Sequence, residues 1–195
     1  MSEQNTILDL FSFNSRFLLN QITYNEFSVA NKIILGHFTT STFLNDILKY
    51  GLLPPIITSK YSNDDIFVSN DAKYIYLTTQ YSYLAMSIIS RNAVNKYGGK
   101  EIVLVVEVNK EDLELDNLNG HYTKQGITDF KDEQLLYEEL TQNPCFSQCR
   151  IKKAIRPNQI LKIINRASFY EKTNLVHGIK HSDKLIRYSD LEEFL

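Results

Sequence analysis

The sequence lacks the features that would place the chain in a membrane or make its fold depend on disulfide bonds. No stretch approaches the roughly 20 apolar residues of a membrane-spanning helix, and the first residues have neither the basic start nor the small-residue cleavage site of a signal peptide. The two cysteines, Cys145 and Cys149, are too few and too close together for a disulfide framework. We therefore expect a cytoplasmic protein without membrane contacts, whose two thiols are structural.

The common signatures of catalysis and metal binding are also missing. The sequence contains no phosphate-binding Walker loop, no Rossmann glycine fingerprint, no HExxH metal motif and no G-x-S-x-G nucleophile elbow. His177 and His181 stand four residues apart, as do Cys145 and Cys149, but no second pair at matching spacing accompanies the cysteines, as it usually does in structural zinc sites. We expect no bound metal.

The apolar residues that are present suffice for one core. A chain of 195 residues with 43% hydrophobic residues can bury one sizeable core and is too short for two ordinary domains. Helical and strand patterns follow one another along the chain, so we predict a single α+β domain over residues 1–195. The predicted elements are N-terminal helices within 6–32, a short strand at 32–35, a helix at 41–50 ended by Gly51, an exposed loop at 56–73, a strand at 74–79, a helix ending at Gly98, a strand at 101–108 buried on both faces, a helix at 131–141, strands at 149–155 and 159–166, and a mixed C-terminal extension at 168–195.

Basic side chains are concentrated towards the C-terminus. Residues 150–188 contain ten lysines and arginines and two acidic residues, whereas the whole chain has a net charge of −2. Such a segment on an acidic body is typical of a surface that meets a polyanion. Packing of complementary patches within the protein, or simple solvation of the charges, explains the same distribution.

Five short phrases occur in an order that indicates a family. They are GHFTT at 36–40, ILKYGLLP at 47–54, IYLTT at 75–79, EIVLVVEV at 101–108 and QCRIKKAIRPNQI at 148–160. Together they resemble the ADP-ribosyltransferases of the His-Tyr-Glu class, the diphtheria-toxin-like and PARP-like branch, over residues 33–164. The resemblance implies an ADP-ribosyltransferase-like split β-sandwich core with flanking helices, NAD as co-substrate and no metal.

The resemblance also assigns roles to individual residues. His37 matches the histidine that hydrogen-bonds the adenosine ribose of NAD, and Phe38, where many relatives have glycine, would offer its backbone N–H and C=O groups to the nicotinamide amide. Thr39 matches a residue that lines the same pocket. Tyr76 matches the tyrosine whose ring packs on the nicotinamide, and a flat aromatic face suits a cationic pyridinium ring. Taken singly, such a histidine or tyrosine is more often structural, and it is the order of the phrases that favours the functional interpretation.

Two positions depart from the pattern of that family. The second stacking aromatic of the PARP branch falls on Ser87, and Tyr83 or Tyr81 is expected to take its place in binding the cofactor. The glutamate that the family uses as its catalytic carboxylate falls on Gln148. A neutral amide cannot stabilise the oxocarbenium-like charge that develops when the nicotinamide–ribose bond breaks.

Three explanations of Gln148 stay open at this stage. Gln148 is an engineered, nearly isosteric replacement of glutamate in a toxic enzyme, or the true carboxylate is Glu138 or Glu139, or the site has diverged and uses another group or none.

The acceptor of the ADP-ribose is expected to be a nucleic acid. The basic run that follows position 148 contains Arg150, Lys152, Lys153 and Arg156, which would steer a phosphate backbone towards the site. This favours a toxin of a toxin–antitoxin or anti-phage system that modifies RNA or DNA, with an antitoxin protein as partner. The alternatives are an enzyme that modifies a protein and an inactive module that binds NAD or ADP-ribose. The RNA 2′-phosphotransferases, which carry an arginine beside the histidine where this chain has Gly36, fit less well.

Overall fold

The computed structural model describes residues 6–10, 22–58, 72–79, 93–117, 120–142 and 149–165. Three predicted features, Tyr83, Gln148 and the extension at 168–195, lie outside these ranges, as do most of the helix predicted to end at Gly98 and the loop residues 59–71. None of the helices in the described ranges has the length and apolar character needed to cross a membrane.

The described residues form strands, short α-helices and single 3₁₀ turns. The strands are β1 (Ile7–Asp9), β2 (Lys32–Thr40), β3 (Ile75–Leu77), β4 (Glu101–Asn109), β5 (Leu113–Leu115), β6 (Cys149–Ile151) and β7 (Ile160–Asn165). The α-helices are α1 (Tyr24–Val29), α2 (Leu44–Tyr50), α3 (Pro55–Thr58), α4 (His121–Lys124) and α5 (Glu133–Gln142), and residues 93–97 are also helical. The 3₁₀ turns are Ser41–Phe43, Lys110–Asp112 and Pro157–Gln159. The predicted α+β class is confirmed.

Two sheets carry the core. The large sheet has the order β1-β2-β4-β7, and the small sheet has the order β3-β6-β5. Alternate side chains of β2, β4 and the small sheet face the same apolar interior, as the two-residue period of a strand requires. Helix α5 packs against this interior through Leu136 and Leu140.

The sheets are joined where β2 meets the end of β3. Gly36 and Thr78 exchange two backbone hydrogen bonds, with N···O distances of 2.8 and 3.0 Å. This pair is an isolated bridge, because the next residues of the two strands do not continue the pairing. The large and small sheets therefore diverge from this point, and His37 is the first residue of β2 beyond it.

The central strand matches its prediction. The run EIVLVVEV lies in β4, which pairs with β2 on one side and β7 on the other, and the side chains of residues 102–106 are almost completely buried. A strand covered on both faces needs no polar alternation, so a continuous apolar run is what the sequence shows.

Three predictions of secondary structure are wrong or incomplete. Residues 7–9, predicted as helical, form β1 and pair in parallel with β2, and only Tyr24–Val29 of the N-terminal segment is described as helical. Strand β2 continues to Thr40 instead of ending at residue 35, because all nine of its residues pair with β4. The predicted loop begins with helix α3, and β5 was not predicted, since three residues carry too little periodic signal.

Gly51 ends α2 in a conformation that only glycine adopts readily. Its φ and ψ are 88° and 173°, and an added Cβ would collide with the backbone carbonyl oxygen of Ile155. The next residue, Leu52, exchanges two backbone hydrogen bonds with Ile155 at 2.8 and 2.9 Å. The phrases ILKYGLLP and AIRPNQI are therefore in direct backbone contact.

Substitution of Gly51 should destabilise the fold strongly. We expect Gly51→Ala to lower the free energy of unfolding by about 2–4 kcal/mol, because the strained φ and the collision with a backbone atom add together. Gly126→Ala is the matched control, since Gly126 also has a positive φ of 81° but no atom within 4 Å of an added Cβ. Urea unfolding of the two variants checks this, and an equal loss in both would contradict it.

Candidate functional site

His37 lies beyond the bridge and faces the same side of the large sheet as Leu35. It pairs with Leu104 of β4, and its ring is half-buried. Nδ1 lies 3.0 Å from the backbone carbonyl oxygen of Tyr76. Because a carbonyl oxygen can only accept, Nδ1 must carry the proton, and in the neutral ring Nε2 then presents a lone pair. No described residue hydrogen-bonds to Nε2, so it can accept a hydrogen bond from a ligand hydroxyl.

The environment favours the neutral form of this ring. Burial lowers the pKa of His37, and this effect outweighs the hydrogen bond to the Tyr76 carbonyl, which raises the pKa. The neutral imidazole, protonated on Nδ1, is therefore the form present at physiological pH.

The lowered pKa of His37 predicts how stability depends on pH. The His37 ring binds its proton at a higher pH in the unfolded chain than in the folded protein. The stability that the neutral ring contributes is therefore complete above the ordinary histidine pKa near 6.5. It is lost as the pH falls through the lower pKa of the folded state. We expect the fall in unfolding free energy below pH 6.5 to be smaller in His37→Asn than in the parent. Denaturant unfolding at several pH values measures this, and identical pH profiles would contradict it.

Phe38 and Thr39 continue β2 into the region where the sheets diverge. Both are almost completely buried, and the Phe38 side chain points to the face opposite His37. Backbone groups of alternate residues in a strand point to the same edge, so the N–H and C=O of Phe38 are directed to the edge where Gly36 meets Thr78. A phenylalanine is therefore compatible with a backbone contact at this position, because its bulk lies elsewhere.

The end of β2 is anchored to the turn before β4. The Thr40 hydroxyl donates a hydrogen bond to the carbonyl of Gly98 at 2.5 Å, and the backbone N–H of Lys100 donates to the Ser41 hydroxyl at 2.8 Å. Gly99 packs among the hydroxyls of Thr40, Ser41 and Thr42, which would lie 2.5–2.8 Å from an added Cβ. This contact fixes the segment that follows Thr39.

Tyr76 lies on the outer face of the small sheet. In the register of this sheet it is opposite Arg150, which in turn is opposite Glu114, and paired residues of antiparallel strands share a face. Ile75 and Leu77 point the other way, into the core. The Tyr76 backbone thus orients His37, while its ring is presented on the side away from the core.

The predicted nucleic-acid contacts have acidic partners. Arg150 and Lys152 both pair with Glu114, at 3.6 and 3.3 Å, and Lys153 pairs with Asp112 at 2.6 Å. Arg156 is exposed at the turn before β7. The alternation of Asp112 and Glu114 in EDLEL is the sequence signal for this pairing, and it was not recognised. Complementary packing within the protein accounts for these three cations.

Glu139 and Glu138, the alternative carboxylates, each accept a hydrogen bond from another side chain. Glu139 accepts a hydrogen bond from the Tyr122 hydroxyl at 2.6 Å and, with Asp116, acts electrostatically on Cys149, whose side chain faces the core. Glu138 accepts a hydrogen bond from Gln134 at 2.7 Å at the surface. Glu139 therefore lies near the core side of the small sheet, and Glu138 lies at the surface of α5.

Sequence reasoning missed the buried group formed by Asp116, Tyr122 and Glu139. Burial raises the pKa of the Tyr122 hydroxyl, and the hydrogen bond to Glu139 raises it further. Burial likewise raises the pKa of the Cys149 thiol, as expected for a structural cysteine. Cys145 lies outside the described residues.

Comparison with known proteins assigns no family. No protein-family profile matches the sequence, and no curated protein matches it significantly. Among the described residues, no group of three or more histidine, cysteine, aspartate or glutamate side chains could hold a metal ion.

Proposed function

We propose that the chain binds NAD in the region where the two sheets diverge and that its fold is of the ADP-ribosyltransferase type. The observation that carries the proposal is the 3.0 Å contact between His37 Nδ1 and the Tyr76 carbonyl. It joins the two residues that the resemblance assigns to NAD binding, although 39 positions separate them in the sequence. Two sheets that, in the described part of the chain, are joined at the Gly36–Thr78 bridge also agree with a split β-sandwich.

Each residue has a chemically suitable role in this proposal. The lone pair on His37 Nε2 accepts a hydrogen bond from a ribose hydroxyl, and the backbone of Phe38 pairs with the amide of the nicotinamide. The Tyr76 ring packs on the pyridinium face, a contact of about 0.5–2 kcal/mol for a cation on an aromatic ring. Thr39 lines the same region.

The proposed reaction is the transfer of ADP-ribose to an acceptor. The bond between C1′ of the ribose and the nicotinamide nitrogen breaks, its electron pair leaves with the nicotinamide, and the acceptor nucleophile bonds to C1′ and loses a proton. A carboxylate that binds the ribose hydroxyls stabilises the cationic transition state and takes that proton. Gln148 can do neither, so the protein with glutamine at this position is expected to bind NAD with little turnover.

The strand that follows position 148 begins near the bridge between the sheets. Strand β6 starts at Cys149, which pairs with Leu77, and Leu77 is followed by Thr78, the residue that bridges Gly36. Position 148 itself lies outside the described residues, so the family pattern alone assigns the carboxylate to it, and Glu138 and Glu139 stay as alternatives.

Nucleic acid is the proposed acceptor. Three of the four cations assigned to it are paired with carboxylates, and one of these, Arg150, is also only 14% exposed. Steering of a phosphate backbone would therefore come from Arg156 and from the exposed ends of Lys152 and Lys153. Protein modification is the alternative. A module that only binds NAD is the second candidate function, and Gln148 is the observation that favours it.

Titration of NAD into the protein with Gln148 tests the proposed site. We expect saturable binding by calorimetry, together with shifts of the His37 ring signals in the NMR spectrum. ADP-ribose and nicotinamide, titrated separately, identify which half of NAD contributes the affinity. No binding at millimolar NAD would overturn the proposal.

A further inference from the structure

Arg150 is held on the outer face of the small sheet by several neighbours. Its guanidinium carbon lies 4.0 Å from the centroid of the Tyr74 ring and 5.7 Å from that of Phe130. The carboxylate of Glu114 lies 3.6 Å from the guanidinium and also accepts a hydrogen bond from the Tyr74 hydroxyl at 3.0 Å. Arg150, Tyr74 and Glu114 form one contact group that spans β6, the residue before β3, and β5. We call this group the arginine lock.

The arginine lock differs from an ordinary surface ion pair. The Arg150 side chain is only 14% exposed, and its Nε is buried with no hydrogen-bond partner among the residues that the structure describes. A buried polar group without a partner is destabilising, and the contacts of Arg150 with two aromatic rings and one carboxylate offset this loss. An arginine that contacts only solvent or a phosphate backbone does not require aromatic rings and a carboxylate around its guanidinium. By contrast, Lys153 is 66% exposed and forms an ordinary surface ion pair with Asp112.

The arginine lock acts on the strand that carries Tyr76. Tyr76 is the cross-strand partner of Arg150, so the two side chains are neighbours, and Tyr74 lies on the same face two residues earlier. Strand β3 has only three residues and lies at the edge of its sheet, so its own ladder holds it weakly. The contacts of Arg150 and Glu114 with Tyr74 therefore add cross-strand support next to the Tyr76 carbonyl, which receives the hydrogen bond from His37.

We propose that Arg150 is a positioning residue of the site: through the arginine lock it fixes β3, and thereby the Tyr76 ring and the Tyr76 carbonyl that selects the Nδ1–H tautomer of His37. The expected effect of Arg150 on NAD affinity rests on the proposed NAD site, whereas its expected effect on the His37 tautomer does not. The inference gives Arg150 a role inside the protein in place of the nucleic-acid contact expected from the sequence.

Two readouts on one set of variants test the arginine lock. Arg150→Met keeps the length of the side chain and removes the guanidinium, Arg150→Lys keeps the charge, and Glu114→Gln keeps an acceptor for the Tyr74 hydroxyl. Lys153→Met is the matched control, because it removes a neighbouring ion pair without aromatic contacts. Long-range ¹H–¹⁵N spectra report the tautomer of His37, and calorimetry reports the affinity for NAD.

We expect a single Nδ1–H tautomer in the parent and in Lys153→Met, and a mixture of tautomers in Arg150→Met. NAD affinity should fall about tenfold in Arg150→Met, less in Arg150→Lys, and not in Lys153→Met. If Arg150→Met does not fold, Glu114→Gln should show the same changes in smaller degree.

The outcomes separate this inference from the proposed function. If the parent binds no NAD but the His37 tautomer changes in Arg150→Met, the proposed NAD site is rejected and the role of the arginine lock is supported. An unchanged His37 tautomer in folded Arg150→Met overturns the arginine lock, as does NAD binding at the parent's affinity by that variant. If Glu114→Gln folds and Arg150→Met does not, an unchanged His37 tautomer or parental NAD affinity in Glu114→Gln overturns the arginine lock.

Discussion

Gln148→Glu should release nicotinamide from NAD about 10² to 10⁴ times faster than the parent protein does. The substitution changes one amide into a carboxylate of nearly the same shape, so the gain comes from charge. A carboxylate stabilises the oxocarbenium-like transition state and accepts the proton of the attacking group, neither of which the amide does. Release of nicotinamide from labelled NAD, followed with time, measures the effect.

The control for this prediction makes the same chemical change elsewhere. Gln125 is exposed on the surface, so Gln125→Glu should leave the rate unchanged. If Gln148→Glu is folded and releases nicotinamide no faster than the parent, the module that only binds NAD becomes the better account. A rate that rises equally in both variants would mean that position 148 has no special role.

The same active variant identifies the acceptor. Incubated with labelled NAD and with DNA, RNA or cell lysate, Gln148→Glu should transfer label to material that nuclease removes. Label that only protease removes would support the protein-modifying alternative.

His37→Ala and Tyr76→Ala should each weaken NAD binding by about tenfold to a hundredfold. His37→Ala removes the acceptor for a ribose hydroxyl, and leaving a buried hydrogen-bonding group without its partner costs about 1–3 kcal/mol. Tyr76→Ala removes the ring but keeps the backbone carbonyl that orients His37, so the two roles of this residue are tested separately. Calorimetric titration of NAD into each variant gives the affinities.

Matched variants keep these results interpretable. Tyr76→Phe retains the aromatic face and should bind NAD nearly as well as the parent. His121→Ala removes an exposed histidine whose described partner is Gln125, and it should bind NAD as the parent does. Folded His37→Ala and Tyr76→Ala proteins with parental affinity would remove the site assignment.

Elements with strong local signals were predictable from the sequence. The Val/Ile/Leu run of β4 has no polar alternation, which is typical of a strand buried on both faces, and it lies at the centre of the large sheet. Helix α2 and its preceding 3₁₀ turn begin after Thr40, which caps them, and end at Gly51, as the predicted helix at 41–50 does. In both cases a few neighbouring residues determine the structure.

Elements that depend on distant partners were not predictable in this way. Strand β1 has three residues and exists because β2 offers an edge to pair with, and β2 reaches Thr40 because β4 pairs with its whole length. The acidic partners of Arg150 and Lys153 are 36 and 41 residues away along the chain. Composition showed the basic segment but not the strand register that brings these carboxylates to it.

The residues of the candidate site stay a prediction, and the contact between two of them was not predictable from the sequence. The phrases GHFTT and IYLTT pointed to His37 and Tyr76, and the structure joins them by a hydrogen bond to a backbone carbonyl that no side-chain motif encodes. The direction of the Phe38 backbone follows from its position in β2, which was longer than predicted.

A crystal structure of the chain with NAD tests the central claim most directly, and Gln148 helps, because it should leave the dinucleotide intact. The account predicts a ribose hydroxyl on His37 Nε2, the nicotinamide amide on the Phe38 backbone and its ring on Tyr76. A dinucleotide bound elsewhere, or no dinucleotide at saturating NAD, would contradict it.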